Sequence, residues 1–181
     1  MKKPNFIIRE ANPNEFDEVG KLMVNVYSKL DGFPSKEEQP SYYEKLLNVG
    51  ELTKNSKIKL LVASTLNNEI AGAVVYFSDM KYYGSGGTAT SEKNAAGFRL
   101  LAVNFNARGN GIGKLLTNEC IKIAGNEHQN QLIIHSTKAM QIAWKMYEKM
   151  GFKRSEDLDF MQEKLHVFGF RLLLNNNFNK K

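Results

Sequence analysis

A single cysteine among 181 residues rules out an intrachain disulfide framework, so the chain must be held together by its core. That usage agrees with a reducing compartment, and a cytoplasmic protein is expected. Cys120 falls inside a helical apolar pattern and reads as core, not as a nucleophile. Long apolar runs are also missing. Nothing approaches the roughly 20 residues that span a bilayer, and the opening MKKPNFIIRE has two lysines but no apolar stretch of leader length. No membrane partner is expected. Long basic runs are missing as well: 25 Lys and Arg stand against 19 Asp and Glu, a formal charge of +6, but they are scattered. That scatter argues against a nucleic-acid groove and leaves solubility, or an anionic ligand, as the meaning of the charge. The three histidines and the acidic residues form no cluster with metal-ligand spacing, so no metal is expected. No repeat, heptad or composition break divides the chain. A single domain over residues 1–181 is expected, with 42% hydrophobic residues to build its core.

What is present is an alternation of apolar runs and turn residues. NFIIRE reads as a first strand. Asn12, Pro13 and Glu15 form a capping pattern that opens a helix carrying Phe16, Val19, Met23, Val26, Tyr27 and Leu30. Ser41 with Glu44 predicts a second capped helix over Tyr42, Tyr43, Leu46 and Leu47. IKLLVAST and EIAGAVVYFS predict two strands joined at Asn67–Asn68, since asparagine tolerates positive φ. A long polar, glycine-rich loop runs from Asp79 to Asn94. AAGFRLLAV is the fourth strand and QLIIHS the fifth. A helical stripe from Ala139 to Met150 ends at Gly151, Phe152 opens a short strand, and HVFGFRLLL is the last strand before the polar NNNFNKK, expected to be frayed.

Between the fourth strand and the following helix, Gly109, Gly111 and Gly113 stand at every second position. A helix interior would lose about 1 kcal/mol at each glycine relative to alanine. A strand, then RGNGIG, then a helix instead offers free backbone N–H groups to an anion at a helix N-terminus. Arg108 and Lys114 flank that stretch with positive charge. A tight turn without a ligand needs only one glycine. The P-loop pattern fails, because Arg108 stands where its first glycine belongs and Leu115 follows Lys114. The dinucleotide pattern fails at Lys114, and no acidic residue closes the next strand.

RLLAVNFNARGNGIGKLL resembles the acyl-CoA-binding segment of the GNAT superfamily of N-acetyltransferases, whose signature is Arg/Gln-x-x-Gly-x-Gly/Ala after a strand. AWKMYEKMGF resembles a later segment of the same family, a helix bearing Tyr before a Gly-Phe strand start. The resemblance covers roughly residues 97–154. It implies an α/β fold: a mixed, mostly antiparallel sheet of about seven strands, helices on both faces, and parallel fourth and fifth strands splayed around CoA. It implies acetyl-CoA as donor, with the pyrophosphate held by Arg108, Gly109, Asn110, Gly111, Ile112, Gly113 and Lys114. The main chain of Leu101 and Val103 would meet the acyl carbonyl and the pantetheine arm, with Ala102 in the bulged strand end, and Tyr147 would lie near the thioester sulfur. The acceptor would be a primary amine of a small molecule or protein, and homodimerisation is left open. Two positions depart from the family pattern: Gly97 where many relatives carry Glu, and Met140 where many carry Asn.

The chemistry to be served is attack of a neutral amine on a thioester. Deprotonating a lysine-like amine at pH 7 costs about 4.6 kcal/mol, so a base or a water chain is needed. The Leu101 N–H would hold the developing oxyanion and Tyr147 would serve the leaving thiolate; the competing reading of Tyr147 is a core tyrosine bonded to a main-chain carbonyl. His135 is a candidate base and equally a strand-end histidine bonded to backbone. Glu92 and Asp79 are weaker candidates, and His128 and His166 have no assigned role. Tyr27, Tyr42, Tyr43, Tyr82 and Tyr83 are candidates for the acceptor pocket, Tyr27 more as packing. Trp144 reads equally as packing or function. A CoA-binding module with little or no catalysis, consistent with Gly97, is the alternative; a nucleotide-binding protein is a third.

Overall fold

The apolar runs become eight strands and four α-helices in the computed structural model, which describes residues 5–174. In chain order these are β1 (Ile7–Glu10), α1 (Phe16–Tyr27), α2 (Pro40–Leu47), β2 (Ile58–Ser64), β3 (Ile70–Phe77), β4 (Ala95–Val103), α3 (Ile112–Asn126), β5 (Gln131–Ser136), α4 (Gln141–Lys149), β6 (Lys153–Arg154), β7 (Phe160–Gln162) and β8 (Leu165–Leu173). The hydrogen-bonded order is β1-β2-β3-β4-β5-β8-β6, with β7 paired to β8. β4 and β5 are parallel, while β1–β2, β5–β8, β6–β8 and β7–β8 are antiparallel. This is the mixed α/β sheet expected, with β7 as an added strand. The NNNFNKK segment lies outside the described residues. Among them no helix is long and apolar enough to cross a membrane.

The described residues form two compact units, 5–75 with 100–118, and 76–99 with 119–174. In the first, Glu15 fixes the entry to α1. Its carboxylate takes a paired hydrogen bond from Arg9, at 2.8 and 2.7 Å, and another from the Asn12 N–H at 2.7 Å. The Arg9 hydrogen bond holds Glu15 well below the usual carboxylate range, at about 2. α2 begins two residues earlier than the Ser41–Glu44 pattern suggests. Pro40 occupies the first helical turn, where its fixed φ and missing N–H cost nothing, and Gln39 is the cap residue. Val19, Met23, Leu46 and Val49 form a fully enclosed core. Gly20 lets α1 approach the end of α2: a Cβ there would stand 2.1 Å from the Leu47 carbonyl oxygen.

The second unit is organised on β5. All six of its residues pair with β8, and Leu132, Ile133, Ile134, Phe98, Phe152 and Phe170 are buried around it. The long loop after β3 is not loose. It contains two short 3-10 turns, Met80–Tyr82 and Ala89–Ser91, and its end is tied down by Arg171 on β8. That guanidinium bonds Glu92 at 2.7 Å, Asp157 at 2.8 Å and the Gln131 side-chain oxygen at 2.9 Å, and Gln131 in turn donates to Glu92 at 3.0 Å.

Gly20→Ala should therefore destabilise the protein by about 1–3 kcal/mol, overpacking outweighing the helix propensity gained. Urea denaturation reads this directly, and a variant as stable as the parent would contradict the close approach of α1 to Leu47.

Candidate functional site

β4 stops pairing with β5 before either strand ends. The parallel register covers Ala95↔Gln131, Ala96↔Leu132 and Gly97↔Ile133. β5 continues through Ile134, His135 and Ser136, and β4 runs on to Val103. Within that stretch Leu100 has φ of +59°, a left-handed conformation that costs a non-glycine residue about 1–2 kcal/mol. Such a residue interrupts the alternation of a strand and re-aims the groups that follow it. Leu101 is next, and its carbonyl accepts the Tyr27 hydroxyl at 3.4 Å. Leu101 and Val103 are half-buried, while the Ala102 side chain is fully enclosed.

Past the strand, the Asn104 side chain accepts the Asn106 N–H at 3.2 Å and opens a 3-10 turn over Phe105–Ala107. Arg108 is extended, and Gly109 and Gly111 then have φ of +80° and +78°. Alternating backbone of this kind points successive N–H groups into one concavity, an anion-binding nest. Neither glycine has an atom within 4 Å of where a Cβ would stand, so the loop's outer side is open. Gly113 differs. It lies in the first turn of α3, and its carbonyl accepts the Thr117 hydroxyl at 2.8 Å. Asn110 ties the loop to the Ala107 carbonyl at 3.0 Å. Ile112, Leu116 and Cys120 are buried and anchor α3, so the first-turn N–H groups face the nest without an intrahelical partner. Arg108 and Lys114 are exposed. The Arg108 guanidinium lies 4.0 Å from the centre of the Phe105 ring, and the Lys29 ammonium 5.1 Å from that same ring. The loop thus combines free N–H groups, the dipole of a 15-residue helix and a local excess of positive charge. A diphosphate fits that chemistry.

In the second unit, Tyr147 on α4 is 5% exposed, with its ring 5.8 Å from Phe98 and 5.7 Å from Phe152. Among the described residues its hydroxyl forms no hydrogen bond to a main-chain carbonyl. Burial pushes the phenol's pKa up, which keeps its proton in place.

His135 is held at both ring nitrogens. Nε2 lies 2.9 Å from the Leu158 carbonyl oxygen, which can only accept, so Nε2 carries the proton. Nδ1 is then the acceptor for the Tyr83 hydroxyl at 3.1 Å. Burial lowers the imidazole pKa to about 4; the Leu158 carbonyl opposes that shift, and Arg99 and Arg154 reinforce it. Tyr83 is wholly enclosed, and burial raises its pKa. The same ring explains Gly97. A Cβ at that position would stand 2.7 Å from Tyr83 Cε2 and 2.9 Å from the Met80 sulfur. Arg99 completes the cluster by donating to the Tyr83 carbonyl at 2.8 Å.

The remaining candidates have structural partners. Glu92 pairs with Arg171, and Asp79 accepts the Lys81 N–H at 2.9 Å. His166 stacks on Phe168 and lies 3.5 Å from Asp159. His128 takes a left-handed conformation after α3. Trp144 packs on Phe168 and Phe170 and donates to Glu148 at 2.9 Å. The tyrosines divide: Tyr27, Tyr42 and Tyr43 cluster with Phe33 in the first unit, while Tyr82 and Tyr83 belong to the second. The Tyr27–Leu101 and Tyr83–His135 bonds join residues 74 and 52 apart, and no local pattern in the sequence signals either.

Comparison with known proteins places these features in context. The family model described as an acetyltransferase (GNAT) domain matches residues 41–174. A GNAT-family acetyltransferase from Staphylococcus aureus Mu50 has a similar fold, with TM-score 0.72 at 17% identity, covering 94% of this chain and 99% of that one. PaiA N-acetyltransferase from Thermoplasma acidophilum in complex with coenzyme A is similar at TM-score 0.67 and 18% identity, covering 91% and 98%. An N-acetylaspartate synthetase from Xenopus tropicalis is 34% identical over 62 residues, which is 34% of this chain and 23% of that protein.

The burial of His135 predicts that its imidazole titrates near pH 4, not 6.5, in a side-chain NMR titration. The sign follows: between those values the unfolded chain binds the proton that the folded chain refuses, so stability falls as pH drops through this window. Replacing His135 by Gln should remove that part of the pH dependence. An imidazole titrating near 6.5 would contradict the buried neutral tautomer.

Proposed function

The chain belongs to the GNAT acetyltransferase family, and on that premise we propose that it transfers the acetyl group of acetyl-CoA to a primary amine. The observation that carries this reading is the left-handed pair Gly109 and Gly111 opening onto the N-terminus of α3. The N–H groups of residues 109–113 take the pyrophosphate, and Arg108 and Lys114 add charge-assisted bonds of roughly 1.5–3 kcal/mol each. Acetyl-CoA supplies an activated thioester. The Leu101 N–H receives the developing oxyanion, and Val103 and Ala102 offer main chain to the extended arm as a neighbouring strand would. Tyr147 donates a hydrogen bond to the departing thiolate sulfur as the carbon–sulfur bond breaks and the carbon–nitrogen bond forms. With Gly97 under Tyr83 and both His135 nitrogens engaged, the amine proton leaves through water to solvent, and His135 contributes modestly by holding Tyr83.

The absence of a carboxylate at position 97 also favours the second reading, a CoA-binding module without turnover. Thiol release from acetyl-CoA with a panel of amino acids, polyamines and peptide N-termini separates the two, since the module binds CoA and releases none. The short match to an N-acetylaspartate synthetase puts amino acids first in that panel.

Acetyl-CoA and CoA should both raise the melting temperature, by the equivalent of about 2.7 kcal/mol at 100 times the dissociation constant. Gly111→Val fills the open side of the nest, and Arg108→Ala removes its charge; both should shrink the shift. No shift at millimolar acetyl-CoA would remove the donor assignment. For Tyr147→Phe, kcat and kcat/KM for acetyl-CoA should fall together by roughly 10- to 10³-fold while the CoA dissociation constant stays nearly unchanged. Undiminished kcat would take Tyr147 out of the mechanism.

A further inference from the structure

Arg99 carries a charge on β4 that the described residues leave unanswered. Its side chain is half-buried, and a guanidinium has five N–H donors. One of its nitrogens donates to the Tyr83 carbonyl at 2.8 Å, and the guanidinium lies 5.4 Å from the centre of the Tyr83 ring. Among the described residues no carboxylate pairs with it. The other arginines of the second unit differ: Arg154 pairs with Asp159, and Arg171 with Glu92 and Asp157. An arginine withdrawn from water is normally paired.

The guanidinium is also held in place. Gly84, at φ of +70°, leaves room for it, since a Cβ there would stand 3.3 Å from the nitrogen that bonds Tyr83. The Tyr83 contacts engage one nitrogen, so the other N–H groups are available to a bidentate anion. Burial raises the pKa of Tyr83 and lowers that of His135. The Arg99 charge opposes the first shift and reinforces the second, so its field reaches both rings.

Position on the strand narrows the anion. Gly97 and Arg99 share the Tyr83 face of β4, while Phe98 turns to the opposite face and packs against Tyr147. The arginine therefore stands across the strand from the tyrosine that serves the thiolate, and the donor's phosphates have Arg108 and Lys114 of their own. Leu101 follows two residues later, and two residues of chain span at most about 7 Å. A molecule whose amine attacks the acyl carbon at the Leu101 N–H meets Arg99 with a group only a few bonds from that amine.

We propose that Arg99 binds the α-carboxylate of the acceptor, and that the acceptor is a free amino acid. This rests on the acetyl-transfer reading above and narrows its primary amine. A polyamine would bring a second cation to the arginine, and a peptide N-terminus has an amide in place of the α-carboxylate.

The test is thiol release from acetyl-CoA by the full chain, with amino acids, their α-carboxamides, spermidine and short peptides as acceptors. It is run on the parent and on Arg99→Gln, which keeps an N–H for the Tyr83 carbonyl. Acid and amide differ in amine basicity, so the quantity compared is their ratio in each protein. The parent should acetylate amino acids and not spermidine. Arg99→Gln should lower kcat/KM for the best amino acid about 10- to 100-fold and for its amide no more than threefold, with the CoA dissociation constant kept. Arg99→Lys, which keeps the charge without the fork, should recover part of the loss. Equal loss for acid and amide, or none for either, overturns the proposal, as does a parent active only on spermidine or peptides. A fall in CoA affinity that matches the fall in rate assigns Arg99 to the donor and overturns it too. A parent that releases no thiol with any amine overturns the transfer reading itself, and this inference with it.

Discussion

A parallel pair of strands that stops hydrogen-bonding partway leaves backbone groups without their ladder, and the protein must satisfy them in another way. After the Gly97↔Ile133 pair, two carbonyls of β4 lie near tyrosines. Within the second unit the Tyr83 hydroxyl lies 3.4 Å from the Phe98 carbonyl but gives its proton to His135 Nδ1 at 3.1 Å, and within the first the Tyr27 hydroxyl donates to the Leu101 carbonyl at 3.4 Å. The Tyr27 bond is long for one from a hydroxyl. A long bond holds a carbonyl at little cost and yields readily to a better partner. The left-handed Leu100 falls between these two carbonyls, so the strand turns where its ladder has been given up. Strain of this kind persists only where the surroundings enforce it.

Charge is handled in two opposite ways. At the Gly109–Gly111 loop the cations are exposed, and Arg108 and Lys29 lie against the ring of Phe105, which orders them without removing their charge. An anion arriving there meets positive groups already in place. At His135 the charge is kept out. Desolvation, the largest effect, and the Tyr83 hydroxyl donating to Nδ1 favour a neutral ring, and they outweigh the Leu158 carbonyl on Nε2–H, which opposes them. A ring so committed serves better as a fixed post for Tyr83 than as a group that takes up protons at neutral pH.

Much of this was legible in the sequence because it is local. The bounds of β4 and β5 follow from apolar runs cut off by polar residues, and the glycine spacing marks the nest because only glycine takes positive φ freely at Gly109 and Gly111. Gly113 shares the spacing but not the conformation, since α3 has already begun. Local chemistry also misled. Ser41–Glu44 has the form of a capping box, but Pro40 sets φ one residue before Ser41 and takes the helix start. β7 is three residues long and exists only by pairing with β8, so no pattern of its own announces it. The partners of Tyr83 and Tyr27 are contacts of the folded chain, and no window of sequence contains them.

Gly97 shows how the two levels meet. Against the family pattern it marks a missing carboxylate, a loss. Within the fold it is the place where the Tyr83 ring lies on the backbone of β4, with no room for a Cβ. The two facts are one exchange, because a side chain at 97 would displace Tyr83, and with it the donor to His135 Nδ1. The loop that carries Tyr83 is in turn fastened through Glu92 to Arg171 on β8, which pairs with β5 beside His135. Position 97 is thus fixed by a ring of contacts running from the loop through Arg171 to β5, and restoring a carboxylate there would require rebuilding the loop as well as the residue.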